Sequence, residues 1–375
     1  MAPTTLLLIA VVAAEPTPVF PIGKETTFVT GPIDAEGYID YAAALNKIIS
    51  KGITPETNAN VLIWKALGPR PEAGKPMPAE FFKRLGIERP PEDGQYLVSL
   101  EAFLMKHVTA QEERNAIDKR AHEAMKRPWT AREIPLLAAW LKANEKPLAL
   151  LQEATRRPHY YHPFVAEANT LLNVQISGLM KCRQLANALA ARAMLRLGEK
   201  KFDEAWQDLL SCHRLARLVS RGATLIEGLV GIALDQVASS AGLAYLEHAP
   251  LDVRQVKQHL KDLRALPPLA ACADKIDLGE RFLYLDGLQL IRRGKVSLVR
   301  GLAGREEKPS PEELKALAAM DWEPALRAGN RWFDRLVAAL RIEDRARREA
   351  TLDQLVTDVQ KLKIDGLEKL MEESS

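Results

Sequence analysis

Two carboxylates, Glu227 and Asp235, stand among apolar neighbours in the stretch Leu225–Leu246. A lone carboxylate in such surroundings is expensive to desolvate. Basic partners lie close by in the chain: Arg192 and Arg196 on one side of a short turn, Arg214, Arg217 and Arg221 on the other. Two readings of this set are open. The charges form partly buried ion pairs that fix helix register, or they line a polar pocket in which the carboxylate pKa values are shifted. In a pocket, Glu227 and Asp235 are catalytic candidates for acid–base work of the hydrolase kind, with Arg192, Arg196, Arg214 and Arg217 as binding candidates. The first reading carries a geometric expectation. Each carboxylate should sit within salt-bridge distance of an arginine from 192–221, with no cavity beside it.

The densest cluster of reactive types is Arg156-Arg157-Pro158-His159-Tyr160-Tyr161-His162-Pro163. Two histidines three residues apart on a helix can share a metal, which makes His159 and His162 metal candidates. Pro158 and Pro163 argue instead for an extended or turning segment. No HExxH, CxxC or third spaced ligand accompanies them, so neither a metal nor another cofactor is expected. A Gly-rich phosphate loop, a G-x-S-x-G elbow and a Cys/His pairing in a workable frame are likewise missing.

The elements that must position these residues are helices. Residues 183–246 read as a helix, a polar turn centred near Lys200, a second helix, and a third that is apolar on almost every face. A helix apolar all round belongs at the centre of a folded body, so Leu225–Leu246 is expected to be the most buried. Its Gly228, Gly231 and Gly242 each cost about 1 kcal/mol relative to alanine. Close helix crossing is the compensating gain, expected at Gly231 or Gly242. The hairpin before it meets part of the 34-residue tetratricopeptide pattern. With Ala205 at the second-helix alanine, Leu189, Ala193, Leu209 and Cys212 match, while Arg192, Arg196 and Arg217 miss. One degenerate hairpin is supported and an array is not. Cys182 and Cys212 are offset across the turn by about 9 Å along the axis, too far for a disulfide. They read as small buried thiols, and Cys272 as another.

Composition bounds the function. Of 375 residues, 47% are apolar, enough for a real core, and 52 basic against 49 acidic residues leave a net charge of +3. That balance, with 6% aromatics, gives no footprint for nucleic acid. Leu6–Ala14 is an apolar run of signal-peptide length followed by Glu15-Pro16, and Val12 and Ala14 fit cleavage before Glu15. The leader carries no Lys or Arg, so a buried strand is the other reading of that run. No further segment is expected to span a membrane, because Glu227 and Asp235 interrupt the one long apolar helix.

Helix signals recur along the chain and strand signals hardly appear. Asp34 and Thr54-Pro55-Glu56 look like helix starts, and Thr109…Glu112 and Thr130…Glu133 like capping boxes. Prolines at 69, 71, 76 and 78 and the run ERPPEDG at 88–94 punctuate the N-terminal third. The expected organisation is a signal peptide (1–14), an N-terminal helical segment with Pro-rich linkers (15–94), a central helical body (95–304) and C-terminal helices (305–375). Leu352, Leu355, Val359 and Leu362 make one coiled-coil-like face of about two heptads. The fold class is all-α: an irregular helical bundle with a tetratricopeptide-like hairpin at its centre. Helix should exceed half of the chain, with no sheet larger than two short strands.

Four blocks, at 31–69, 140–163, 191–235 and 321–348, resemble a large family of exported helical proteins abundant in planctomycete bacteria. The resemblance spans nearly the whole chain and implies export and an all-helical body. It supplies no catalytic residues to carry over. The expected function is therefore a non-catalytic protein of the periplasm or cell envelope that binds a protein or peptide partner. The alternative is a hydrolase-type enzyme using Glu227 and Asp235 in an arginine-lined pocket.

Overall fold

A computed structural model describes residues 17–71, 76–165, 170–174, 178–302 and 308–372. Helices account for about 65% of it and no strands occur among the described residues. Two isolated bridges, Ile33 with Ile39 and Asn58 with His159, are the extent of β pairing there. The first helices are short: α1 (Tyr41–Ile49), α2 (Ala59–Leu67), α3 (Ala79–Leu85), α4 (Leu100–His107), α5 (Gln111–Ala124), α6 (Pro135–Ala143) and α7 (Glu145–Ala154). Long ones follow, α8 (Leu179–Gly198), α9 (Phe202–Ser220) and α10 (Leu225–His248), and then α11 (Val253–Arg264). Next, α12 (Cys272–Lys275) runs through a π turn at Ile276–Glu280 into α13 (Arg281–Arg292). The chain continues through α14 (Val296–Leu302), α15 (Pro311–Ala319), α16 (Glu323–Leu340) and α17 (Arg345–Glu372).

The centre is a mutual packing of α8, α9 and α10. Small side chains let the axes approach: Ala186, Ala190 and Ala193 on α8, Ala205 and Ala216 on α9, and Ala238 and Ala241 on α10 are all fully buried. Leu189, Ala193, Ala205, Leu209 and Cys212, the positions that match the repeat pattern, are buried completely, as any close antiparallel hairpin requires. Cys182 and Cys212 are free buried thiols, whereas Cys272 is free and exposed at the start of α12. A second core joins Tyr38, Ile39, Tyr41 and Leu45 to Phe282, Leu285, Trp322 and Leu326, so the three stretches read from the sequence share their packing.

The apolar helix α10 is not the most buried element. Ile226, Leu229, Ile232, Leu243 and Leu246 are 54% to 70% exposed. The residues that meet α8 and α9 are Gly231, Leu234, Ala238, Ala241, Ala244 and Tyr245; no described element covers the opposite face. By length and composition α10 is apolar enough to cross a membrane, with a mean hydropathy of 1.4 over its best window. Gly231 does lie at a close crossing, where an added Cβ would stand 2.8 Å from the Ser220 backbone, but Gly242 faces open space.

Helix starts also differ from expectation. Asp34 accepts from the amides of Glu36 and Tyr38 in a turn, and α1 is capped by Asp40. Thr54 opens a turn, and Asn58 caps α2. Neither Thr109 nor Thr130 caps a helix; α5 and α6 begin after Ala110 and Ile134 without a side-chain cap. The side-chain-closed boxes are Thr224…Glu227 and Asp252…Gln255. Leu352, Leu355 and Val359 on α17 line, with Trp332, Phe333 and Leu336 of α16, an open groove of about 500 Å³, so that face turns toward α16 while Val359 stays exposed. The run Leu6–Ala14 and the Leu362 side chain lie outside the described residues.

Candidate functional site

The buried and half-buried acids of the central helices lie in three separate places, and arginines reach two of them. The first is organised by Asp208, a residue that the sequence reading did not single out. Its fully buried carboxylate accepts from Arg192 Nε at 3.0 Å and Nη2 at 2.5 Å, from Arg196 Nη1 at 2.7 Å and from Gln152 Nε2 at 2.8 Å. Three helices, α7, α8 and α9, are thereby held in register. The hairpin itself contained the signal: a turn centred on Lys200 sets residue 192 opposite residue 208.

The second place holds Asp235, which bonds Arg217 Nη1 and lies 2.7 Å from His213 Nδ1. Burial opposes ionisation there, yet the bonds to His213 and Arg217 outweigh it and hold the carboxyl below its ordinary range. This carboxylate has the arginine that the ion-pair reading requires.

Glu227 occupies the third place and pairs with no arginine among the described residues. It is fully buried and closes the capping box of α10. Its Oε2 accepts from the Thr224 amide at 3.1 Å and the Thr224 hydroxyl at 3.0 Å, while Thr224 Oγ1 accepts from the Glu227 amide at 3.3 Å. Gly222 makes room for the carboxyl, since a Cβ there would stand 2.1 Å from Glu227 Cδ. The positive charge nearby is Lys275, whose ammonium donates to the Gly222 carbonyl. Burial raises the Glu227 carboxyl above its ordinary range. Thr224-Leu225-Ile226-Glu227 is the T-x-x-E signature of a capped helix start, and it was present in the sequence. Eight residues along one helix separate Glu227 from Asp235, about 12 Å of axial rise, and Glu227 has no exposed surface through which to share a cleft with it.

The histidines do not converge. His159 is exposed and its backbone bridges Asn58. His162 is buried among Trp64, Phe81 and Phe164, with Asn60 Nδ2 3.3 Å from its Nδ1. Burial lowers its pKa to about 4. The intervening strap is extended, as the prolines demand, and is tied down by Asn58 and Asn46, which accept from the amides of Tyr161 and Phe164 at 2.9 Å. No group of three metal-ligating side chains occurs among the described residues.

The prominent surface feature is the apolar outer face of α10 together with α11. On α11, Val253, Val256, Leu260 and Leu263 recur at helical spacing and are 38% to 72% exposed. One edge of this helix is anchored: His259 stacks on Trp206 and lies 3.1 Å from the Tyr245 hydroxyl, and Asp262 accepts from Trp206 Nε1 at 2.9 Å. The far edge carries Arg254, Lys257, Lys261 and Arg264. The 253/256/260/263 spacing was legible in the sequence; its exposure was not. Comparison with known proteins finds no matching family model, no matching curated protein and no matching solved structure.

Proposed function

We propose that this is a non-catalytic, exported helical protein that binds a protein partner on the apolar faces of α10 and α11. The exposed side chains of those helices carry the reading. Large apolar areas left open on a folded protein mark contact surfaces, and the basic edge of α11 suits a partner helix with acidic flanks. Export rests on the signal-like run Leu6–Ala14 and on the family resemblance. The hairpin of α8 and α9, tetratricopeptide-like in its small-residue crossing, serves as the scaffold. Glu227 is enclosed in a helix cap and Asp235 is bound by two basic groups, which favours binding over hydrolysis.

The test compares wild-type protein with the double variant Leu243→Glu/Leu260→Glu. Both side chains are exposed, so the variant should keep its circular dichroism and melting temperature. Mature protein immobilised against its own envelope fraction should retain a specific partner that the variant loses. Equal retention by both would sink the proposal. So would sedimentation showing that wild type merely self-associates through this face, or flotation with protein-free vesicles that the variant abolishes.

A further inference from the structure

Five arginines converge on one cleft of about 380 Å³ between the end of α7, the outer face of α9 and the chain that leaves α11. Arg156 and Arg157 come from the turn after α7. Arg214 and Arg217 on α9 and Arg221 at its C-cap follow at three- and four-residue spacing and so share one face. The carboxylate among the lining residues is Asp262, whose oxygens are engaged by Trp206 Nε1 and Gln258 Nε2.

Part of this positive charge is committed elsewhere. Arg157 donates to the carbonyls of Pro55 and Asn58, Arg221 to that of Pro158, and Arg217 Nη1 to Asp235. Arg156 and Arg214 have no hydrogen-bond or ion-pair partner among the described residues, and Arg217 Nε is buried without one. Burial and then the neighbouring Arg156 disfavour charge on Arg214, and Asp262 across the cleft offsets them only in part. A guanidinium stays protonated at any physiological pH, so that repulsion is relieved by an anion and not by loss of a proton.

We infer that this cleft binds a phosphate group, carried by a small phosphate-bearing ligand or a lipid headgroup. Guanidinium forks match phosphate oxygens in pairs. A tetrahedral dianion offers oxygens to groups arriving from several directions, as Arg156 does from the turn after α7 and Arg214 from α9. A single carboxylate, with one charge and two oxygens, satisfies one fork. The cleft volume also falls within the range of small-ligand sites. This inference stands on residues apart from the apolar face of α10 and α11.

The experiment is calorimetric titration of the full chain with inorganic pyrophosphate at low ionic strength, alongside citrate and vesicles with and without phosphatidate. Pyrophosphate or phosphatidate vesicles should bind, and citrate should bind several-fold more weakly than pyrophosphate. Arg156→Ala and Arg214→Ala should each weaken binding about tenfold or more, whereas Arg345→Ala on α17 should not. Arg156 is exposed and unpartnered, so its variant should fold normally and decides the matter alone if Arg214→Ala does not fold. Binding by pyrophosphate assigns a small ligand; binding by phosphatidate vesicles alone assigns a headgroup. No binding by either, equal affinity for citrate, or equal losses in Arg156→Ala and Arg345→Ala would overturn the inference.

Discussion

His259 lies flat on Trp206, with ring centroids 3.9 Å apart and planes at 16°, and this stack seats α11 against α9. Trp206 adds a second tie through its indole N–H to Asp262. Trp206→Ala should therefore cost about 3–5 kcal/mol and loosen α11 before the rest of the molecule. Hydrogen exchange should accelerate across 253–264 while the middle of α8 keeps its protection. Uniform acceleration would mean that α11 is held by something other than this stack.

Two buried carboxylates should respond differently to substitution. Asp208→Ala leaves the buried Arg192 without its carboxylate, while Arg196 keeps Glu204, and an uncompensated buried charge costs about 3–5 kcal/mol. Glu227→Gln keeps the N3 side chain of a capping box and should cost less than about 1 kcal/mol. Glu227→Ala strands the buried Thr224 amide, at about 1–3 kcal/mol. Urea titrations of the three variants give the order directly. A cost for Glu227→Gln equal to that for Asp208→Ala would show that Glu227 acts as a charge and not as a cap.

Two of the three glycines of α10, Gly231 and Gly242, make an opposite pair. At Gly231 a methyl group would press on Ser220, 2.6 Å from its Cβ and 2.8 Å from its Cα, so Gly231→Ala should destabilise by about 1–3 kcal/mol. At Gly242 nothing lies within 4 Å of the new Cβ, so Gly242→Ala should stabilise by about 0.5–1 kcal/mol through helix propensity. Melting temperatures moving in the same direction for both would contradict this packing.

Stability should depend on pH through His162. Its folded pKa is about 4 against an ordinary 6.5, so above pH 6.5 both folded and unfolded chains are neutral there. As pH falls below 6.5 the unfolded chain takes up a proton that the folded one refuses. Stability is then lost at up to about 1.4 kcal/mol per pH unit until pH reaches the folded value. His259, whose pKa burial also lowers, adds a contribution of the same sign. His162→Phe should flatten the slope between pH 6.5 and 4 and leave the His259 part. Denaturant titrations at three pH values measure it; an unchanged slope would remove His162 from the account.

Local signals misplaced several helix starts for a common reason. Thr109 and Thr130 have the right residue three positions later, but a capping box forms only where the following backbone turns helical in its tertiary setting. At Thr130 the chain instead makes a turn into Pro135. Thr224 and Glu227 have the same spacing and do close a box, because Ala223 and Gly222 deliver the chain into α10 beside Lys275.

The all-α fold, the turn at Lys200 and the small-residue crossing of α8 with α9 were determined by the sequence alone. They depend on 3.6-residue periodicity and on side-chain size, which are properties of short stretches. Tertiary structure decided which acid each arginine meets and which side of α10 is covered. Periodicity records that a side chain is apolar and not whether a neighbour arrives to bury it. Ile226 and Leu243 look as core-like in the sequence as Leu234 and Ala238, yet α8 and α9 reach only the second pair. The arginine cleft was likewise out of reach of local pattern, because Arg156, Arg214 and Leu266 become neighbours only when α7, α9 and α11 have packed.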